Sequence, residues 1–293
     1  MKKNYATIIT VLCILTIIAS VVAITLLNYS FPNTPKTPTP STTISFVTPS
    51  NDPTQSTFHG VPMYSYQILQ TYPHDPSAFT QGLTFDDNGN LIESTGLNGA
   101  SSIRRVNLAD GQVLQQFNLP HEYFGEGTTV VNDKIVQLTW QNKIGFIYDK
   151  KTFELLENFT LNTEGWGLTY DGNHLIMSDG TANLYFLDIT TYQTINNIKV
   201  YDANGSVENL NELEYINGTI YANIWRSSKT AIINPNTGQI EAYIDLDDLS
   251  QQYTKKDSTA VLNGIAYSTQ TKQLYVTGKN WSNLYEIQIT WTK

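Results

Sequence analysis

Five short segments of the sequence share one outline, and each opens on a residue that could take part in chemistry. They begin at Gln81-Gly82-Leu83-Thr84-Phe85, Glu126-Gly127-Thr128-Thr129-Val130, Trp166-Gly167-Leu168-Thr169-Tyr170, Asn211-Glu212-Leu213-Glu214-Tyr215 and Asn263-Gly264-Ile265-Ala266-Tyr267. The five opening positions therefore hold one acid, three amides and an aromatic residue. If these positions served only the core, they would hold interchangeable small or apolar residues. The set instead indicates a ligand site with directed polar groups and one group that can carry a proton.

The elements that position these residues are predicted to be short β-strands in groups of four. Successive segments start 40 to 52 residues apart, and each is followed by a turn suited to a two-strand hairpin, such as Asp171-Gly172-Asn173. In the first four repeats a second turn, such as Asn236-Thr237-Gly238, precedes a last strand. Four strands per 40 to 45 residues are typical of a propeller blade. The sequence therefore predicts an all-β fold, a five-bladed β-propeller over residues 63–293.

The fifth repeat lacks its outer strand, because the segment from Leu284 to Ile289 is followed by only a few residues. The alternating segment from Tyr64 to Tyr72, which precedes the first repeat, resembles the outer strands in length and pattern. We expect it to complete the last blade, which would join the two ends of the ring and leave no open inner edge.

In a propeller, the start of each inner strand and the end of the next strand lie on the same face. The second strands end in Ser94-Thr95, Trp140, Ser178-Asp179, Trp225 and Lys279-Asn280-Trp281. With Trp166, four of the five tryptophans of the chain are therefore expected around one mouth. An aromatic cup with a few directed polar groups suits recognition of a small ligand.

The N-terminal part of the chain has a different composition. From Ala6 to Leu27 the sequence carries no charge and is long enough to cross a hydrocarbon core, so residues 1–28 are predicted to form a transmembrane helix that anchors the protein. Lys2 and Lys3 place the N-terminus in the cytoplasm and the remaining chain outside it; cleavage and secretion are the alternative. Residues 29–62, rich in Pro, Ser and Thr, are predicted to be a disordered linker.

Charge and cysteine content exclude several classes of protein. The formal net charge is -9 at pH 7, which argues against a nucleic-acid partner because phosphate binding needs basic patches. The sole cysteine, Cys13, lies inside the predicted anchor, so the rest of the chain offers no disulfide, thiolate ligand or thiol nucleophile. The protein is expected to be a monomer.

The same residues carry a resemblance to a known family. The matching blocks are His74-Asp75-Pro76-Ser77-Ala78-Phe79-Thr80-Gln81-Gly82-Leu83, Tyr123-Phe124-Gly125-Glu126-Gly127, Leu138-Thr139-Trp140, Glu164-Gly165-Trp166-Gly167-Leu168-Thr169, Leu210-Asn211-Glu212-Leu213-Glu214-Tyr215 with Ala222-Asn223-Ile224-Trp225, and Leu262-Asn263-Gly264-Ile265-Ala266 with Thr277-Gly278-Lys279-Asn280-Trp281. In this order they resemble glutamine cyclotransferase of the plant and bacterial type. The resemblance implies a five-bladed propeller that converts the N-terminal glutamine of a peptide to pyroglutamate, releases ammonia and uses no metal cofactor.

By this resemblance, and because it is the only acid among the opening residues, Glu126 is predicted to shuttle a proton from the attacking α-amine to the leaving ammonia. A carboxyl among tryptophan side chains is expected to have a raised pKa. The other predicted catalytic residues, which would bind the amide and the developing oxyanion, are Gln81, Asn211 and Lys279. The predicted substrate-binding residues are Phe79, Trp140, Trp166 and Trp225.

Two other functions stay open at this point. Acids and amides such as Glu126, Asn211 and Asn263 could hold calcium in a propeller hydrolase or lactonase, although one acid is few for such a site. A propeller on a membrane stalk could also be a non-catalytic ligand-binding module.

Several of the polar residues also have structural interpretations. Asn263 can be a buried amide that closes the channel through hydrogen bonds. Glu212 and Glu214 alternate with Leu213, so one of the two acids is expected to be a solvated charge. Asn98 departs from the family pattern, in which a Tyr is usual, and this puts the lip of the pocket in question.

Overall fold

A computed structural model describes residues 56–291, and over this range the chain is an all-β, propeller-like arrangement of antiparallel sheets with one short α-helix. The predicted anchor 1–28 and residues 29–55 of the predicted linker lie outside the described residues. Within 56–291, no helix has the length and apolar character needed to cross a membrane.

Regular structure begins inside the range that the sequence assigns to the linker. Strands β1 (Thr57–Phe58) and β2 (Val61–Pro73) form a tight antiparallel hairpin. The Phe58 ring packs edge-on against Tyr243, with centroids 5.1 Å apart, and Val61 is buried. Phe58 and Val61 are isolated apolar residues among polar ones and give no alternating pattern. Composition alone therefore places the start of the folded domain at residue 63, several residues after β1.

Three four-stranded antiparallel sheets follow along the chain, each with its strands in sequence order. The first contains β3 (Thr80–Phe85), β4 (Leu91–Thr95), β5 (Ser102–Val106) and β6 (Val113–Asn118). The second contains β7 (Gly125–Val131), β8 (Lys134–Thr139), β9 (Ile144–Asp149) and β10 (Leu155–Thr160). The third contains β11 (Leu168–Tyr170), β12 (His174–Ser178), β13 (Asn183–Asp188) and β14 (Thr194–Lys199), and a short hairpin of β15 (Tyr201–Asp202) and β16 (Gly205–Ser206) follows it.

The remaining strands join in a nine-stranded sheet through β2. They are β17 (Leu210–Ile216), β18 (Thr219–Ile224), β19 (Lys229–Ile233), β20 (Ile240–Asp245), β21 (Leu262–Ser268), β22 (Gln273–Gly278) and β23 (Asn283–Trp291), with helix α1 (Asp247–Thr254) between β20 and β21. Strand β2 runs antiparallel to β23, from Tyr64 opposite Trp291 to Pro73 opposite Asn283. The prediction that the segment from Tyr64 to Tyr72 supplies the outer strand of the last unit is therefore confirmed.

The first strands of the successive units form the interior. Strands β3, β7, β11, β17 and β21 contact one another in this order, and β21 contacts β3 in turn. Nearly every residue of β3, β7, β17 and β21 is buried, because both of their faces are covered by neighbouring strands. The outer strands β6, β10 and β14 are mostly exposed. In the first three units the outer strand is therefore much more exposed than the inner one, whereas the outer strand β20 of the fourth unit is mostly buried.

The apolar core lies between neighbouring sheets, so each sheet buries both faces. Ile92 and Ile103 of the first sheet pack with Ile135 and Phe146 of the second. Four further clusters join the following pairs of units in the same way, and the last of them packs Leu83 of the first sheet against residues of β22 and β23. Hydrophobic burial therefore links the end of the chain to its beginning.

A buried ionic network reinforces this closure. The Glu93 carboxylate accepts hydrogen bonds from His74 Nε2 at 3.0 Å, Thr80 Oγ1 at 2.8 Å and Arg104 Nε at 2.9 Å. His74 Nδ1 lies 2.6 Å from the carbonyl oxygen of Trp281 in the last unit. Burial alone would raise the pKa of Glu93, but His74 and Arg104 lower it to about 2. The network therefore holds an ionised acid between the first unit and the last.

We expect Glu93→Gln to lower the free energy of unfolding by about 3 to 5 kcal/mol, because it removes the buried charge partner of Arg104 and leaves it only the partly exposed Asp75. The matched control is Glu157→Gln, which breaks an exposed ion pair with Lys134 and should cost less than about 1 kcal/mol. Denaturant unfolding measures both variants, and equal midpoints for the two would contradict a structural role of the network.

The contribution of Glu93 to the free energy of unfolding should also depend on pH. In the wild type it should be present above pH 4.5 and disappear as the pH falls toward 2, because protonation of Glu93 removes its charge.

Candidate active site

β-Bulges position the polar opening residues of the inner strands. The strand register shifts between Thr80 and Gly82, Gly125 and Thr128, Leu210 and Leu213, and Leu262 and Ile265. These intervals contain Gln81, Glu126, Asn211 and Asn263. A bulge leaves one residue outside the ladder and redirects its side chain. The structure thus gives a local reason why these four positions differ from ordinary strand residues.

Glycines at the same level let the inner strands approach closely. A Cβ atom on Gly127 would lie 2.5 Å from the carbonyl oxygen of Trp166, and one on Gly167 would lie 1.9 Å from the carbonyl oxygen of Asn211. The Gly127 amide instead donates a hydrogen bond of 2.6 Å to the Trp166 carbonyl. Neighbouring inner strands are therefore in direct backbone contact at the level of the bulges.

Glu126 lies in this centre with only 5 % of its surface exposed. Its Oε1 accepts a hydrogen bond of 3.2 Å from Gln81 Nε2, and Gln81 Oε1 in turn accepts one of 3.1 Å from Asn263 Nδ2. Burial raises the pKa of Glu126 well above its usual value; Lys279 acts in the opposite direction and Glu164 in the same direction. The carboxyl therefore keeps its proton to a higher pH than an exposed glutamate does.

Lys279 is the cation beside this carboxyl and is equally buried, at 5 % exposure. It follows the last residue of β22, and its Nζ lies 4.8 Å from the centre of the Phe79 ring. Burial lowers the pKa of Lys279 to about 8, although the charge of Glu126 works against this change. An ammonium group with this pKa is charged at neutral pH and loses its proton under mildly alkaline conditions.

Two buried amide oxygens have no hydrogen-bond partner among the residues 56–291: Asn211 Oδ1 and Asn263 Oδ1. Asn263 uses its Nδ2 to bind the Thr80 carbonyl at 2.9 Å as well as Gln81, so it orients a neighbouring side chain. Because a buried acceptor without a donor is costly, an N–H group of a bound molecule is a suitable partner for Asn211 Oδ1.

Half-exposed aromatic rings surround the polar centre. The Phe79 ring lies 6.1 Å from that of Phe124, and Phe124 lies 5.6 Å from Trp140, both edge to face. The Trp166 and Trp225 rings lie 5.8 Å apart in the same geometry. Phe79, Phe124 and Trp140 thus form one group of contacting rings, and Trp166 and Trp225 form a second. Phe124 was not among the predicted substrate-binding residues.

Glu164 is a second residue that sequence reasoning did not single out. Its Oε2 accepts hydrogen bonds from Trp140 Nε1 at 2.7 Å and from Trp166 Nε1 at 3.1 Å. The available signal was its position two residues before Trp166, in the loop that leads into β11. An acid beside a predicted pocket residue is too common to be recognised without the contacts.

Two expectations about neighbouring residues were wrong. Trp281 is completely buried, stacks on Tyr253 at 4.3 Å and donates from Nε1 to the Ala260 carbonyl, so it belongs to the core and not to the mouth. Glu212 and Glu214 are both buried, and their carboxyl groups accept hydrogen bonds from the backbone amides of other inner strands, β3 and β21. Neither acid is a solvated charge.

Two further observations concern other sites. Among residues 56–291, no group of three or more His, Cys, Asp or Glu side chains is arranged to hold a metal ion.

A cavity of about 210 Å³ lies between the second and third sheets, and residues such as Met177 and Tyr185 line it. None of the predicted site residues and no acidic residue lines this cavity, so it is separate from the candidate site.

Comparisons with known proteins agree with the geometry. Residues 41–289 match the family model described as glutamine cyclotransferase. A curated glutaminyl-peptide cyclotransferase from Arabidopsis thaliana is 40 % identical over 226 residues, which are 76 % of this chain and 71 % of that protein. The crystal structure of Myxococcus xanthus glutaminyl cyclase superposes with a TM-score of 0.74 at 33 % identity and covers 79 % of this chain and 99 % of that one. This chain therefore belongs to the glutamine cyclotransferase family.

Proposed function

We propose that this protein is a glutaminyl-peptide cyclotransferase that converts the N-terminal glutamine of a peptide to pyroglutamate and releases ammonia. The observation that carries the proposal is the buried Glu126 carboxyl, with its raised pKa, beside the Lys279 ammonium and a series of aromatic rings. The curated relative and the matching crystal structure carry names of the same activity. They favour neither a calcium-dependent hydrolase nor a non-catalytic binding module.

The reaction moves one proton in two transfers and needs no external nucleophile. The α-amine attacks the carbon of its own side-chain amide, so the reacting groups are already tethered and the protein needs to fix one rotamer. As the new C–N bond forms, the Glu126 carboxylate accepts the proton that the amine loses. It then donates this proton to the amide nitrogen, and the C–N bond to ammonia breaks. Because burial raises the pKa of Glu126, its carboxylate is basic enough for the first transfer and its acid is available for the second.

The neighbouring polar groups stabilise the charge that develops on the carbonyl oxygen. Gln81 Nε2 donates to Glu126, and the Lys279 ammonium interacts with the same carboxyl electrostatically. Both groups are donors, and well-placed donors to an oxyanion contribute roughly 3 to 4 kcal/mol each. Asn211 Oδ1 accepts an N–H of the substrate amine. The aromatic rings of Phe79, Trp140, Trp166 and Trp225 contact the glutamine methylene groups and exclude water.

The same proposal includes the finer architecture. We infer five blades from the closed order of contacts among β3, β7, β11, β17 and β21, and from the five interleaved core clusters. The uncharged run from Ala6 to Leu27 supports a membrane anchor that holds a monomeric enzyme outside the cytoplasm.

The direct test is ammonia release from a dipeptide that begins with glutamine, measured with the full chain in the presence and absence of a chelator. We expect turnover in both conditions, because Glu126 and Lys279 supply the proton transfer and the oxyanion stabilisation. Loss of turnover on chelation would instead favour a metal-dependent reaction, and no turnover in either condition would refute the proposed activity.

Glu126→Gln should lower kcat by about 10²- to 10⁴-fold, because the amide keeps the shape of the side chain but cannot exchange a proton. Circular dichroism should show an unchanged fold. The matched control is Glu122→Gln, an exposed acid four positions earlier, which should leave kcat unchanged. Full activity of Glu126→Gln would show that no proton transfer in the reaction passes through this residue.

The rate at saturating substrate should fall as the pH rises through about 8, where Lys279 loses its proton. Lys279→Arg keeps a positive charge at every accessible pH, so its profile should lack this alkaline decline. Lys279→Gln should be slower by roughly 10²-fold at neutral pH, since one charged oxyanion donor is lost. An alkaline decline at the same pH in Lys279→Arg would assign the titration to another group.

A further inference from the structure

One carboxylate oxygen joins two aromatic residues of the active site. Glu164 lies in the loop between β10 and β11, and its Oε2 accepts from the indole Nε1 of both Trp140 and Trp166, at 2.7 and 3.1 Å. The two tryptophans come from different sheets, since Trp140 follows β8 and Trp166 precedes β11. The shared carboxylate oxygen therefore links two tryptophans that belong to different sheets.

These hydrogen bonds restrict rings that would otherwise be free to rotate. Both indoles are half-exposed, so apolar contacts cover only part of each ring. An indole has a single N–H donor, and a bond from it to an ionised acceptor is shorter and stronger than a neutral one. The restriction extends further, because Trp140 contacts Phe124 and Trp166 contacts Trp225. Four of the aromatic rings thus depend directly or indirectly on the position of one carboxylate.

Glu164 also contributes charge to the active site. Burial and two charged groups, Lys279 and Glu164, shift the pKa of the Glu126 carboxyl. Lys279 favours the carboxylate form of Glu126, whereas Glu164 raises the pKa of Glu126 and favours the protonated form. The uncharged Gln81 amide provides the hydrogen bond. Glu164 therefore opposes Lys279 electrostatically.

We propose that Glu164 is a positioning residue that holds the Trp140 and Trp166 indoles as one fixed side of the pocket and places a negative charge near the proton-shuttling carboxyl of Glu126. This inference rests on the proposed function for its catalytic consequence. Its structural part, the alignment of the two indoles, holds whether or not the substrate is an N-terminal glutamine.

Two substitutions separate the two effects. Glu164→Gln retains a carbonyl oxygen that can accept both indole N–H groups but removes the charge. Glu164→Ala removes the acceptor and the charge together. The matched control is Glu154→Gln, which changes an exposed acid in the turn before β10. The measurements are tryptophan fluorescence of the free enzyme, KM, and the dependence of kcat on pH for a Gln-initiated dipeptide.

For Glu164→Gln we expect wild-type fluorescence and KM, and an acidic limb of the kcat profile that moves to lower pH, because Glu126 loses the neighbour that favours its protonated form. For Glu164→Ala we expect a red-shifted emission and a KM about tenfold higher, because both indoles lose their acceptor. The control should match the wild type in every measurement.

An unchanged acidic limb in Glu164→Gln would overturn the electrostatic role, and unchanged emission and KM in Glu164→Ala would overturn the positioning role. A purely structural contribution of Glu164 would alter stability but would not move the pH profile of the folded Gln variant. The fluorescence comparison does not require turnover. If the wild type cyclises no peptide, the proposed function fails, while the emission of Glu164→Ala still decides whether the carboxylate holds the indoles.

Discussion

Direct backbone contact between the inner strands is the constraint on which the rest of this structure depends. Gly127 and Gly167 have no side chain at the points where the next strand passes, and any Cβ there would overlap its backbone. A residue in a regular ladder directs its side chain to one face of its own sheet. The bulges at the starts of these strands release one residue from the ladder and redirect its side chain. Three of the bulged residues, Gln81, Glu126 and Asn263, are joined by hydrogen bonds between their side chains. The chemistry of the site therefore follows from backbone geometry.

Much of this arrangement could be predicted because it repeats. Five similar segments at nearly constant spacing define strand order, and the missing outer strand of the last repeat requires a partner such as the segment from Tyr64 to Tyr72. Equivalent positions in a repeat lie at equivalent places in space, so an unusual residue at one of them is conspicuous. Glu126 is such a residue. The same reasoning identified Trp140 and Trp225, which end second strands on the same face.

The residues that could not be predicted depend on contacts between distant parts of the chain. Trp281 follows the same strand-end rule as Trp140, but Tyr253 of the inserted helix α1 covers it, and the repeat gives no information about an insertion. Glu212 is buried because backbone amides of two other units point at its carboxyl, which no local pattern records. Glu164 can be recognised as part of the site only from its hydrogen bonds with two indole N–H groups, one of which lies 24 residues away in the sequence.

The three kinds of buried acid in this protein show why burial alone does not identify a functional one. Glu93 is buried but ionised, because His74 and Arg104 stabilise its charge against the effect of burial and lower its pKa to about 2. Glu212 has a raised pKa, yet each of its oxygens is occupied by a backbone amide, so it ties strands together and has no free position for a ligand. Glu126 combines a raised pKa with a hydrogen bond from a side-chain amide and a neighbouring cation, all next to half-exposed aromatic rings. A side-chain donor can move aside when a substrate arrives, whereas a backbone donor in a β-strand cannot. We therefore propose that the ability to exchange a proton with a bound molecule distinguishes Glu126 from Glu93 and Glu212.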